Sequence, residues 1–199
     1  MENWYTQMDL VCANMVAINF MVSARYIAYG IAGLTLFAMP DRFGRKWVIV
    51  ITSTIMVLAQ LLMIFVPTYE ARLIAFILFG ATMLKATVPY VYVSELVAPK
   101  NAASVSVMAT SFDSSTLLVF NTYLLCISRN MMPLILTMTS LAALALLIAV
   151  ILIPESPSWL LSQGRVNDAI DSFNQMARVN GVKARIPQGS TFHETGLKE

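Results

Sequence analysis

Charged residues are scarce in this sequence. Asp, Glu, Lys and Arg make up 12% of its 199 residues and hydrophobic residues make up 58%, whereas a soluble globular domain carries about 25% charged residues. The 13 basic and 11 acidic residues are also clustered, in short connectors and in the last part of the chain. This pattern is typical of apolar spans separated by polar loops, and it predicts an integral, multi-pass membrane protein with the lipid bilayer as its partner.

Histidine, cysteine and runs of basic residues are equally scarce, and their scarcity excludes several functions. Cys12 and Cys126 show no CxxC pairing and His193 stands alone, so neither a zinc site nor a Cys/His catalytic pair can be assembled. The net charge of +2 is too small and too scattered for nucleic acid. Nucleophile elbows and phosphate-binding glycine loops are missing too. We therefore expect no enzyme, no cofactor and no catalytic, cofactor-binding or metal-binding residues.

Five long apolar stretches fill residues 13–153. Each is long enough to cross the hydrocarbon layer, which takes about 20 residues of helix. Helices are expected because a span must satisfy its backbone hydrogen bonds internally. The N-terminus lacks the basic start and the small-residue cleavage site of a signal peptide, so we expect the first stretch to stay in the protein. The predicted spans are 13–39, 47–66, 73–94, 102–128 and 131–153.

The connector after the first span predicts the orientation. It carries Arg42, Arg45 and Lys46 within a few positions, and cytoplasmic loops are enriched in such residues. We therefore expect residues 1–12 to form an extracellular lead-in and the chain from residue 154 onward to lie in the cytoplasm.

Two cytoplasmic helices are predicted in residues 154–181. Ser156 can cap the first of them, with Pro157 at its first helical position and Gly164 at its end. The second is amphipathic and ends before a glycine stop signal. Residues 182–199 are polar and aperiodic, which predicts disorder or a loop that leads into a longer chain.

Two motifs carry a resemblance to a known family. The connector at 41–46 reads D-R-F-G-R-K, which is similar to the D-R-x-G-R-[RK] loop between helices 2 and 3 of major facilitator superfamily transporters. The segment at 154–165 reads P-E-S-P-S-W-L-L-S-Q-G-R, which resembles the PESPRWLL segment after helix 6 of organic ion and sugar transporters, with Ser158 in place of the family's Arg. Weaker matches lie at 89–99 and at 8–12, the latter resembling a W-D-L-V-C stretch of the organic cation and anion transporters.

The resemblance implies an all-α partial bundle: helices 2 to 6 of the N-terminal half of a major facilitator superfamily transporter, closest to the organic cation and anion transporters. It implies transport of a small solute, an organic ion or a sugar, by alternating access in the plasma membrane. A C-terminal half, or another chain, would complete the path. The alternative is a membrane interaction protein or partner subunit that keeps the fold without transporting.

The resemblance also assigns a group of residues to cytoplasmic gating. A glycine allows a tight turn there, and charged side chains can form bonds that break and re-form as two bundles rock. A basic loop without a gating role is the simpler alternative. The predicted gating residues are Asp41, Arg42, Gly44, Arg45, Lys46, Glu95, Glu155 and Arg165.

Three charged residues, Arg25, Lys85 and Asp113, interrupt the apolar spans. Each needs an interaction partner or a functional role, because placing a charged side chain at the bilayer centre costs about 2.5–3.5 kcal/mol of free energy. Lys85 precedes Pro99 by as many residues as Asp113 follows it, so the two lie at similar depth and can meet. The three are candidate substrate or proton sites. A structural ion pair is the alternative for Lys85 and Asp113, and snorkelling to the interface is the alternative for Arg25.

Overall fold

The computed structural model of the chain describes residues 14–36, 38–83, 87–97 and 99–190. Within these ranges the regular secondary structure is helical, which confirms the predicted all-α class. Residues 1–13, 37, 84–86, 98 and 191–199 lie outside the described residues, and with them the predicted lead-in, Cys12 and His193. The helices are α1 Met15–Leu36, α2 Met39–Phe43, α3 Arg45–Phe65, α4 Tyr69–Ala81, α5 Thr87–Leu96, α6 Pro99–Thr122, α7 Met132–Leu152, α8 Pro157–Ser162 and α9 Val166–Val179.

Four of the described helices are long and apolar enough to cross a membrane. They are α1, α3, α7 and the continuous helix Lys100–Ile127, in which α6 runs into a π-helical turn. The third predicted span, 73–94, coincides with α4 and α5, which have 13 and 10 residues. Neither alone reaches the about 20 residues that a crossing needs. Because the residues between them are not described, a fifth crossing stays a prediction.

Helix α1 packs against α4. The α1 residue Met21 is buried in this contact, and the Tyr69 hydroxyl of α4 donates a hydrogen bond to the carbonyl oxygen of Ala17 at 2.9 Å. Farther along, a Cβ atom on Gly80 would overlap with the carbonyl oxygen of Arg25. The two backbones approach so closely here that only glycine fits, which is how membrane helices gain van der Waals contact.

Helix α3 occupies the middle of the described bundle, with contacts to α4, α5 and α7, whereas α6 packs against α5 at its edge. No residue in the most apolar 18-residue segment of the helix Lys100–Ile127 is buried within the described structure. Several hydroxyls of α6 bond to carbonyls of their own helix, among them Thr110 to Ser106 and Ser111 to Val107, both at 2.8 Å. These hydroxyls are therefore satisfied without a neighbouring helix.

Beyond α7 the chain forms two helices, α8 and α9. The Ser156 hydroxyl accepts a hydrogen bond from the Trp159 amide at 3.3 Å and caps α8, and Gly164 ends the turn with φ +71°. Helix α9 packs on α8 through the buried Ile170.

Part of the segment predicted to be disordered, residues 182–190, lies along α9. Asn174 exchanges two hydrogen bonds with the backbone of Ile186, at 3.0 and 2.9 Å. The Gln188 amide donates to the Asp171 carboxylate at 2.5 Å. The described part of this segment is thus held to α9 by side-chain hydrogen bonds.

We expect Gly80→Ala to destabilise the protein by about 1–3 kcal/mol, because the added methyl forces α1 and α4 apart. Gly30→Ala is the matched control, since open space surrounds Gly30 in α1 and alanine favours helix. Thermal unfolding of both variants in detergent checks this. Equal melting temperatures would show that the close approach at Gly80 does not contribute to stability.

Candidate functional site

Glu155 is the centre of a polar network at one end of the bundle. It lies in the α7–α8 linker, residues 153–156, and its Oε1 accepts hydrogen bonds from the backbone amides of Arg45 at 2.8 Å and Lys46 at 3.0 Å. Those two amides belong to the first two residues of α3, whose N-cap residue provides no side-chain acceptor. Because the first amides of a helix have no partner within it, and because the N-terminus attracts negative charge, the Glu155 carboxylate acts as a cap from a distant segment.

Gly44 is required at the start of α3 for two reasons. Its φ of +93° lies in a region that side chains rarely adopt. A Cβ atom at this position would also lie 2.5 Å from Oε2 of Glu155. The glycine of the D-R-F-G-R-K motif therefore provides both the turn and the space for the capping carboxylate.

An ion pair extends the network to α5. The Arg45 guanidinium pairs with the Glu95 carboxylate, and their side chains are 14% and 21% exposed, so solvent and salt screen the pair less than an open surface pair. Glu95 also accepts a hydrogen bond from the fully buried Ser156 hydroxyl at 2.8 Å. These contacts join α3, α5 and the α7–α8 linker. We call Arg45, Lys46, Glu95, Glu155 and Ser156 the charged network.

Two aromatic side chains support the network. The Tyr92 hydroxyl donates to the carbonyl oxygen of Pro154 at 2.8 Å, and the Trp159 indole donates to the carbonyl oxygen of Asp41 at 2.7 Å. The Asp41 carboxylate itself lies 3.9 Å from the Arg45 guanidinium. Sequence reasoning missed Tyr92 and the role of Trp159. Each of them carries a polar group, the Tyr92 hydroxyl or the Trp159 indole N–H, that needs a hydrogen-bond partner when it is buried. Each also lies within one helical turn of a motif residue, and this combination is a signal that could have identified them.

The predicted gating residues do not all meet. Asp41, Gly44, Arg45, Lys46, Glu95 and Glu155 come together as described, whereas two arginines have no described ion pair with this set. Arg42 is exposed and, in the described part of the chain, outside the charged network. Arg165 pairs with Asp168 at 2.6 Å, and both of these side chains are about half exposed. The structure therefore divides the predicted group into a connected set and two peripheral arginines.

Asp113 of α6 has a partner that the sequence did not suggest. The Tyr90 hydroxyl of α5 lies near its carboxylate and interacts with it electrostatically. Lys85, the predicted partner, lies outside the described residues, so that pairing stays a prediction. This interaction joins α5 to the candidate membrane-spanning helix Lys100–Ile127.

Arg25 is half-buried between α1 and α4. Its guanidinium carbon lies 5.8 Å from the centre of the Phe79 ring, within the range of a cation–π contact. Its Nη2 lies 3.7 Å from the Met83 sulfur. Arg25, Phe79, Met63 and Phe76 surround a small cavity of about 110 Å³. Packing against α4 thus accounts for the position of the Arg25 side chain.

In the residues that the structure describes, no three His, Cys, Asp or Glu side chains are grouped closely enough to hold a metal ion.

The chain belongs to the sugar (and other) transporter family, whose profile matches residues 3–199. It is thereby a member of the major facilitator superfamily, with organic cation transporters among its relatives. It is 30% identical to human solute carrier family 22 member 2 over 199 residues, 97% of this chain and 35% of that protein. It is 28% identical over 177 residues to the rabbit (Oryctolagus cuniculus) solute carrier family 22 member 1, covering 88% of this chain and 32% of that protein. It is 26% identical over 194 residues to organic cation/carnitine transporter 2 of Mus musculus, covering 90% of this chain and 32% of that protein. The chain spans about a third of the length of these relatives.

We expect Glu155→Ala to destabilise the protein by about 1–3 kcal/mol, because it leaves two partly buried backbone amides without their acceptor. Glu155→Gln, which keeps an acceptor but loses the charge, should cost less. Hydrogen exchange at the amides of Arg45 and Lys46 should accelerate more in the alanine variant. Glu70→Ala, at an exposed carboxylate in the first turn of α4, is the control. Unchanged exchange at Arg45 and Lys46 would contradict the capping role.

Proposed function

We propose that this chain forms part of the N-terminal bundle of a plasma-membrane transporter that moves a small organic ion by alternating access. The observation that carries this proposal is the charged network, in which one carboxylate, Glu155, ties the α7–α8 linker to α3 while Glu95 ties α5 to the same point. Ionic contacts between helix ends can open and close without unfolding any helix, which a rocking transporter requires.

The network would act as a cytoplasmic latch. Lys46, Arg45 and the neighbouring Arg42 favour the cytoplasm for this end of the bundle. When the contacts of Arg45 with Glu95 and of Glu155 with α3 are made, the inner ends of three segments are held together. Separating them leaves shielded charges without partners, which is costly, so the latch favours one of the two transport states.

Asp113 and Tyr90 are the proposed substrate or proton contact, with Lys85 and Arg25 as further candidates. A carboxylate at this depth is costly to keep without a function, and it attracts a cation. One of the relatives is named an organic cation/carnitine transporter, which favours a positively charged solute. The remainder of the path would come from a C-terminal half or from another chain.

Transport is tested by reconstituting the chain into liposomes, together with a separately expressed C-terminal half of a relative such as human solute carrier family 22 member 2, and measuring uptake of radiolabelled tetraethylammonium. We expect saturable uptake that Asp113→Asn reduces by about tenfold or more, the loss that about 1.4 kcal/mol of binding free energy produces. Glu70→Gln removes an exposed carboxylate of α4 and should have no effect. Equal uptake by wild type and Asp113→Asn would refute the role of Asp113. No uptake by a stably folded chain that associates with this C-terminal half would favour the alternative of a membrane interaction protein.

The latch is tested by exchanging the charges of its ion pair. Arg45→Glu and Glu95→Arg should each reduce uptake, because each places like charges together, and the double variant should recover much of the loss. Arg42→Glu makes the same charge change outside the charged network and should reduce uptake less than Arg45→Glu does. If the double variant is no better than the single variants, the pair does not act as proposed.

A further inference from the structure

A cavity of about 280 Å³ lies beside the charged network, between the start of α3 and helices α8 and α9. Three aromatic side chains line it: Phe43, Trp47 and Trp159. The Trp159 ring is held in place by its hydrogen bond to the carbonyl oxygen of Asp41. Phe43 and Trp47 are 61% and 59% exposed, so the cavity is open to a ligand and offers it large aromatic surfaces.

The cavity is also negatively charged. Glu155, Asp168 and Asp171 contribute three negative charges to its lining and Arg165 one positive charge, a balance of −2. Glu155 is engaged by the amides of α3 and Asp168 is paired with Arg165. Asp171 is different, because its described partner is the neutral amide of Gln188. Within the described residues, the negative charge of Asp171 is therefore not balanced by a cation.

Together, aromatic faces and an uncompensated carboxylate favour one kind of ligand. A quaternary ammonium group donates no hydrogen bonds, so it needs no array of acceptors and is attracted by the negative faces of aromatic rings. A strongly hydrated metal ion would need several oxygen ligands instead. The size of the cavity is just below the range of drug-sized pockets, about 300–1,000 Å³, and so suits a small cation.

We propose that this cavity binds a quaternary ammonium group between Trp47 and Trp159, with Asp171 balancing its charge. The site is distinct from the Tyr90–Asp113 contact and does not depend on transport. Interfacial aromatic residues that face lipid are the simpler explanation for Trp47 and Phe43. That explanation does not account for their convergence with Trp159 and Asp171 on one cavity.

The test uses the purified chain in dodecyl maltoside, which carries no ammonium group. Two of its three tryptophans line the cavity, so binding should change their fluorescence. We expect tetramethylammonium chloride, against sodium chloride at equal ionic strength, to give a saturable change. Asp171→Asn and Trp159→Leu should each weaken binding about twofold to fivefold, the range expected for an exposed cation–π or charge contact. Glu70→Gln should bind as the wild type does.

Three results would overturn the proposal: no saturable change, the same change with sodium, or wild-type affinity in an Asp171→Asn variant that melts normally. Binding that is weakened by Asp113→Asn but not by Asp171→Asn would place the cation at the membrane contact and would also overturn it. A negative result in the liposome uptake assay would not contradict this proposal, because the fluorescence assay measures binding and requires no transport.

The same ammonium group can arrive free in solution or as the headgroup of a choline lipid. Nanodiscs of phosphatidylcholine and of phosphatidylglycerol separate these sources. A lower apparent affinity for tetramethylammonium in phosphatidylcholine would support lipid headgroups as occupants, and equal affinity would support a soluble cation. Loss of tetramethylammonium binding in both kinds of nanodisc would overturn the proposal.

Discussion

The hydrogen bonds from the first turn of α3 to the Glu155 carboxylate are the contact from which the charged end of the bundle is built. A helix cannot satisfy its own first amides, and α3 starts without a side-chain cap. The acceptor comes from 110 residues farther along the chain than Arg45. The start of α3 and the end of α7 must therefore be in place together. Glu95 and Ser156 add to this arrangement, so the network exists only in the assembled bundle.

Helix α5 connects the charged end of the bundle with the polar contact farther inside it. Within its 10 residues, Tyr90 reaches Asp113 of α6, Tyr92 bonds to Pro154 and Glu95 pairs with Arg45. A shift or rotation of this short helix would disturb all three contacts at once. One short helix thus connects the Asp113 region with the charged network.

Local patterns predicted the helices well, and contacts between distant segments less so. The signals for α8 were Ser156, Pro157 and Gly164, whose effects act within one or two turns. The D-R-F-G-R-K motif indicated that charged residues meet at this end of the bundle. It did not indicate that the Glu155 carboxylate would accept hydrogen bonds from main-chain amides while the Glu95 carboxylate pairs with the Arg45 guanidinium. Such a choice depends on how helices pack and not on local sequence. For the same reason, depth alone could not show that Tyr90 lies beside Asp113.

The self-satisfied hydroxyls of α6 have a consequence for biogenesis. A polar group that depends on another helix would have to wait for that helix before leaving the translocon. In α6, Thr110, Ser111, Ser115 and Thr116 bond to carbonyls of their own helix, so these side chains bring fewer open donors into lipid. The segment can therefore enter the bilayer as an independent unit and associate with α5 afterwards, with Asp113 as the group that still benefits from a neighbour.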